Sequence, residues 1–166
     1  MASYTVSRSV VIDALPDQVF PYIARFPEWM KWSPFEGADP ALRRVYTGAA
    51  EGTGAVYEWS GNAKAGEGSM TITDVTSCQV HIDTEFVRPF KNETRHVFAI
   101  TPHGGAASTV TWTMHGEHKG FMGLVTRLMM PMEKFMGPEF EKGLEALKRV
   151  VETENEAETG SASSEA

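Results

Sequence analysis

Cysteine is nearly missing from this chain. Cys78 is the single one among 166 residues, so no internal disulfide can staple the fold and a packed core has to hold it. No basic, apolar and small-residue leader is visible, and with one thiol this sets the expectation of a reducing, cytoplasmic setting. In that setting the Asn92-Glu93-Thr94 sequon is expected to carry no glycan. No apolar run approaches the roughly twenty residues that cross a bilayer, so stable membrane insertion is not expected. Basic stripes are missing too. The formal charge is −7, with 22 acidic residues against 15 Lys and Arg, and Glu152, Glu154, Glu156, Glu158 and Glu165 crowd the last fifteen positions. The remainder is close to neutral and offers nothing to a phosphate backbone, which excludes the usual nucleic-acid binder. The tail, residues 152–166, has no side chain more apolar than alanine and is expected to be disordered, because burial there cannot offset ordering entropy.

Catalytic signatures are equally sparse. The glycines of 48–54 and 61–68 neither lead into a helix nor end in Gly-Lys-Ser/Thr, so they read as hairpin turns and not as phosphate cradles. No Gly-x-Ser-x-Gly elbow exists, and Cys78 has no basic neighbour to favour its thiolate. His115, Glu117 and His118 place two imidazoles three residues apart at the end of a strand, without the helical spacing or third ligand that zinc requires. Neither a metal nor another cofactor is expected.

What the chain does have is 42% apolar residues, enough for one core, and a change of period along its length. Tyr4 to Asp13 alternates as a strand. Pro16 and Asp17 suit the first turn of a helix that buries Val19, Phe20 and Ile23. A second short turn spans Pro27 to Trp32. Six further strands are expected at about 42–47, 54–60, 67–75, 79–87, 93–101 and 107–115, too closely spaced for crossover helices, hence antiparallel. Parity assigns Tyr57, Trp59, Met70, Ile72, Val80, Ile82, Phe86, His96, Phe98, Ile100, Val110, Trp112 and Met114 to one dry face. Five methionines between Met122 and Met136 precede a last helix, covering at least 139–150, whose apolar stripe is Phe140, Leu144, Leu147 and Val151.

The stretches VIDALPDQVFPYIARFPEWMKWSP (11–34), GTGAVYEWSGN (52–62), TVTWTMHG (109–116) and FEKGLEALKRVVE (140–152) resemble the START-related helix-grip superfamily, SRPBCC, in its polyketide cyclase/dehydrase-like branch. The resemblance covers about residues 4–151. It implies an α+β helix-grip fold: a curved antiparallel sheet of six to seven strands wrapped around a long C-terminal helix, with two short helices after the first strand. The organisation expected is one START-like domain, 1–151, followed by the acidic tail. It also implies a hydrophobic cavity between sheet and helix, in a superfamily whose members bind lipids, sterols or polyketides, a minority of them being enzymes.

The residues themselves add soft, aromatic volume on that face, and thioethers repack around varied shapes. The expected ligand-lining set is Tyr57, Trp59, Met70, Phe86, His96, Phe98, Trp112, Met114, Met132, Phe135, Met136 and Phe140, with plain core as the competing assignment for each. His96 is the one inward group that titrates near neutral pH and is the candidate general acid or base. Glu58 is its candidate partner only if a bulge turns it inward. Gly120, Gly123 and Pro131 make 120–131 a candidate lid or an ordinary short helix. The expected function is binding or transport of a small hydrophobic or amphipathic molecule by a monomer or homodimer. The alternatives are a polyketide cyclase or dehydratase using His96, and a co-chaperone-like protein-interaction module.

Overall fold

The computed structural model describes residues 2–164 apart from 121–124, 126–127 and 130. Seven strands form one antiparallel sheet: β1 (Ala2–Ile12), β2 (Arg43–Gly48), β3 (Ala55–Ser60), β4 (Glu67–Val75), β5 (Gln79–Arg88), β6 (Asn92–His103) and β7 (Ala107–His118). Their order across the sheet is β1-β7-β6-β5-β4-β3-β2, so the meander of six closes against the first strand. Between β1 and β2 lie α1 (Pro16–Ala24) and a 3₁₀ helix (Phe26–Lys31); the chain closes with α2 (Met132–Ser164). Pro16 stands in the first turn of α1, where no amide proton is needed, and the Gln18 side chain accepts a hydrogen bond from the Leu15 N–H. Pro21 is carried within α1.

The alternation of β5 to β7 buries Val80, Ile82, Phe98, Ile100, Val110, Trp112 and Met114 against Phe140, Leu144, Leu147 and Val151 of α2. The stripe on α2 thus faces the sheet, and the fold is the helix grip. Two side chains that periodicity cannot assign complete this core. Trp29 of the 3₁₀ helix and Trp32 just after it are buried, tethered by indole N–H bonds to the carbonyls of Ile23 and Tyr22, both at 2.9 Å. Their rings meet Phe98 and Trp112 edge-on, at centroid separations of 5.6 to 6.4 Å, a favoured aromatic geometry. Gly143 permits the close approach of α2: a Cβ there would stand 2.8 Å from Pro34 Cδ and 3.1 Å from Trp112.

The long helix is held lengthwise along β1. Lys148 Nζ donates to the Val11 carbonyl (3.0 Å), and Glu152 accepts the Asp13 N–H (2.9 Å). Nearer the start of α2, Arg8 reaches Glu133 (2.5 Å) and Glu141 (2.9 Å) across Gly137, where a Cβ would lie 2.2 Å from its guanidinium. Beyond residue 152 the helix runs on to Ser164. Glu152 also pairs with Lys148 (2.6 Å), while Glu154 accepts the Tyr22 hydroxyl and meets Lys31 (3.0 Å). Gln18 bonds Asn155 at 2.6 Å. Polar contacts to α1 and the 3₁₀ helix thus do what apolar burial does not. Most of the candidate lid, with Met122 and Met130, lies outside the described residues; Val125, Leu128 and Met129 are helical, and the latter two are exposed.

Candidate functional site: the open end of the grip

The inward rows of the sheet change character along its length. At the level of Phe98 the space is filled: Trp112 stacks on Phe140 at 3.9 Å and on Phe98 at 4.9 Å. Phe98, Trp112, Met114 and Phe140, all expected to line a cavity, are buried here as packed core. One row further lies His96, whose register neighbours are Ile82 and Met114. The row beyond that is polar: Thr84 stands opposite Thr94, and Thr94 opposite Gly116, which is opposite Tyr4. Gly116 leaves room for the Tyr4 ring, since a Cβ would sit 2.3 Å from its hydroxyl oxygen.

His96 is held at both nitrogens. The Trp112 indole N–H, which can only donate, donates to Nδ1 at 2.9 Å. Nδ1 is therefore the acceptor, the proton of the neutral ring sits on Nε2, and Nε2–H donates to Thr94 Oγ1 at 3.1 Å. Burial, helped by His115, lowers the His96 pKa from 6.5 to about 4, so the ring is uncharged at neutral pH. With its lone pair taken by the indole, it has none left to accept a substrate proton. Glu58 is exposed, as its parity requires, and the pairings of β3 with β2 and β4 run past it without a register shift. The two residues are not brought together.

Thr84 is 4% exposed, and its hydroxyl has no partner among the described residues. A desolvated, unpaired hydroxyl costs about 1–3 kcal/mol. Around it the apolar side chains are only partly covered. Met70 is its register neighbour on β4, and Trp59 and Phe86 meet edge-on at 5.5 Å one row further out. Met132 and Met136 are also partly buried against the core. A four-residue step along a helix is about 6 Å, close to the two-residue spacing of inward rows, about 6.6 Å. Because α2 runs from Arg8 toward Asp13 as it ascends, Met136 and Met132, one and two turns before Phe140, lie toward the end of the sheet that holds Thr84 and Thr94.

Two further expected lining residues are placed differently. Phe135 is 56% exposed, because on a helix it falls off the 132–136–140 stripe. Tyr57 is buried, stacked with Tyr46 (5.2 Å) and Trp59 (5.9 Å), and its hydroxyl donates to Glu36 at 3.3 Å. Burial, reinforced by Glu36, raises its pKa; Glu36 itself is paired with Arg44 at 2.5 Å. Thr84, Thr94 and Tyr4 stand on the same inward rows, as parity with Ile82, His96 and Val6 requires.

A concavity of about 660 Å³ is lined by Thr71, Asp83, Glu85, Arg95 and His115 of the wet face and also by Tyr4, Thr84, Thr94 and Gly116, so it borders the row that holds the two threonines. Its wet-face side chains are polar, and Arg95 there is paired with Asp83 at 3.3 Å. His115 bonds Thr5 (3.1 Å) and His118 packs on Tyr4 (4.7 Å). No group of three His, Cys, Asp or Glu suited to a metal occurs among the described residues.

A sheet gripping one long helix, with a half-covered apolar end, defines a helix-grip protein. Residues 3–152 match the family described as polyketide cyclase / dehydrase and lipid transport, and the chain belongs to that family, within the SRPBCC superfamily. Three solved structures share the fold. Norcoclaurine synthase from Thalictrum flavum is 10% identical, with a TM-score of 0.64 over 90% of this chain and 94% of its own. KanY is 17% identical, with a TM-score of 0.63 over 92% and 99%. Aha1 from Colwellia psychrerythraea, solved as a dimer, is 14% identical, with a TM-score of 0.62 over 90% and 96%. No curated protein matches the chain.

Proposed function

We propose that the chain binds a small, largely apolar molecule at the open end of the grip, between the inner faces of β3 to β6 and the first turns of α2. The observation that carries this reading is the Thr84 hydroxyl, buried among partly covered apolar side chains and without a partner among the described residues. A site that keeps such a cost is one completed by a group from outside the chain. Met70, Met132 and Met136 supply adaptable walls, and Trp59 and Phe86 supply aromatic ones. His96 belongs to this site as a neutral orienting group, since its tautomer is fixed by Trp112 and its charge is suppressed by burial. Binding therefore fits the geometry better than acid–base turnover does. A family that includes lipid transport is consistent with this role. A reducing, cytoplasmic setting is part of the proposal, since it suits the lone, half-buried Cys78.

The test is a fluorescent apolar dye whose emission rises on burial, displaced by polycyclic aromatics or long-chain alcohols. Met136→Glu is expected to weaken dye binding at least tenfold with an unchanged far-ultraviolet circular dichroism spectrum. Arg95→Glu, on the wet face, is expected to leave it unchanged. Loss of binding in Arg95→Glu with retention in Met136→Glu would move the site to the opposite face.

A further inference from the structure

The direction of the hydrogen bonds around His96 says what kind of polar group a ligand presents there. Trp112 Nε1–H can only donate, so His96 Nδ1 accepts; His96 Nε2–H then donates to Thr94 Oγ1. Thr94 receives a proton and keeps its own hydroxyl proton to give. Thr84, its direct partner across β5 and β6, holds a second buried hydroxyl that nothing among the described residues engages. Two donors thus stand side by side on an inward row. The cations at inward parity on the described strands are committed: Arg8 to Glu133 and Glu141, Arg44 to Glu36, and Arg88 to Glu67. None of these leaves an unpaired positive charge on an inward row to offset the desolvation of an anion at Thr84, and Lys119, which lines the bordering concavity, is exposed.

We propose that Thr84 and Thr94, the latter turned into a donor by Trp112 through His96, select ligands bearing a neutral acceptor oxygen, such as a ketone, ester or quinone carbonyl, over carboxylates of the same skeleton. This rests on the binding site proposed above and specifies its ligand chemistry. Thr94 is a positioning and recognition residue in this scheme; no bond is made or broken.

The experiment compares 2-dodecanone, dodecane and dodecanoate as displacers of the apolar dye at pH 8, where the acid is ionised. The ketone is expected to compete at least tenfold better than the alkane, the scale of one or two well-made hydrogen bonds, and better than the carboxylate. Thr84→Val and Thr94→Val are each expected to reduce the ratio of ketone to alkane affinity at least several-fold, with an unchanged far-ultraviolet circular dichroism spectrum certifying that the variants fold. Thr94→Ser, which keeps a hydroxyl, is expected to retain the preference. Equal competition by ketone and alkane, or a carboxylate that competes best, overturns this inference and leaves the apolar site standing. If none of the three displaces the dye, the apolar site fails and the inference falls with it.

Discussion

A buried threonine without a partner and a histidine with two partners have opposite consequences for stability. Thr84→Val removes the orphaned hydroxyl at nearly constant volume. In the free protein this is expected to stabilise by about 1–3 kcal/mol, and at about 2–4 °C per kcal/mol for a chain of this size the melting temperature rises by several degrees. Calorimetry of the ligand-free variant checks it; a fall in melting temperature shows that the hydroxyl is satisfied in solution. His96 acts through linkage. Its folded pKa of about 4 lies below the ordinary 6.5, so the unfolded chain takes up a proton first as pH falls. Its contribution is full above pH 6.5 and is lost between pH 6.5 and 4, by roughly 3 kcal/mol. Glu152 and Glu154, whose pKa values are lowered chiefly by hydrogen bonds from Lys148 and Tyr22, act in a separate window, losing their contribution only as pH falls below about 4.5. His96→Gln keeps an acceptor for Trp112 and a donor for Thr94 but does not titrate. Denaturant melts at pH 7, 6 and 5 are expected to slope for the native protein and to be flat for the variant; parallel slopes assign the ramp to other groups.

At the scale of elements, the strands were legible because alternation survives wherever one face is dry and the other wet. Val80, Ile82 and Phe86, or His96, Phe98 and Ile100, leave one choice of inner face. The same alternation contains Thr84 and Thr94, but polar residues on a dry face look like noise until the register shows them opposite one another. Trp29 and Trp32 were legible only as a short turn, since a 3₁₀ segment of six residues has no period to read. The extension of α2 through Glu152 and Glu154 escaped composition because its partners, Asp13, Tyr22 and Lys31, are more than a hundred residues away. The Arg8 clasp was hidden for the same reason. Glu133 and Glu141 are each more than half exposed, so solvent screens both pairs of the clasp. Gly137→Ala pushes the guanidinium aside but gains about 1 kcal/mol of helix propensity. The two effects are expected to cancel to within about 1 kcal/mol in a urea titration, and a larger loss would mean that the clasp holds α2 in place.

For the whole molecule, the sheet, the gripped helix and their order followed from pattern and resemblance together, whereas the division of the interior into a solid part and an open part did not. Periodicity treats Trp112 and Trp59 alike, yet one is sealed by Phe140 and the other stands half covered beyond the reach of Trp29 and Trp32. What separates them is how far α1, the 3₁₀ helix and Phe140 extend along the sheet, a property of packing in three dimensions. The central claim is that a ligand enters at the uncovered end. Two-dimensional amide and methyl NMR during titration with 2-dodecanone tests it most directly. Shifts are expected to concentrate at Met70, Thr84, Phe86, Thr94, Met132 and Met136, with Val110, Leu144 and Leu147 unmoved. Shifts confined to the wet face around Asp83, Arg95 and His115, or a spectrum unchanged at saturating ligand, would contradict it.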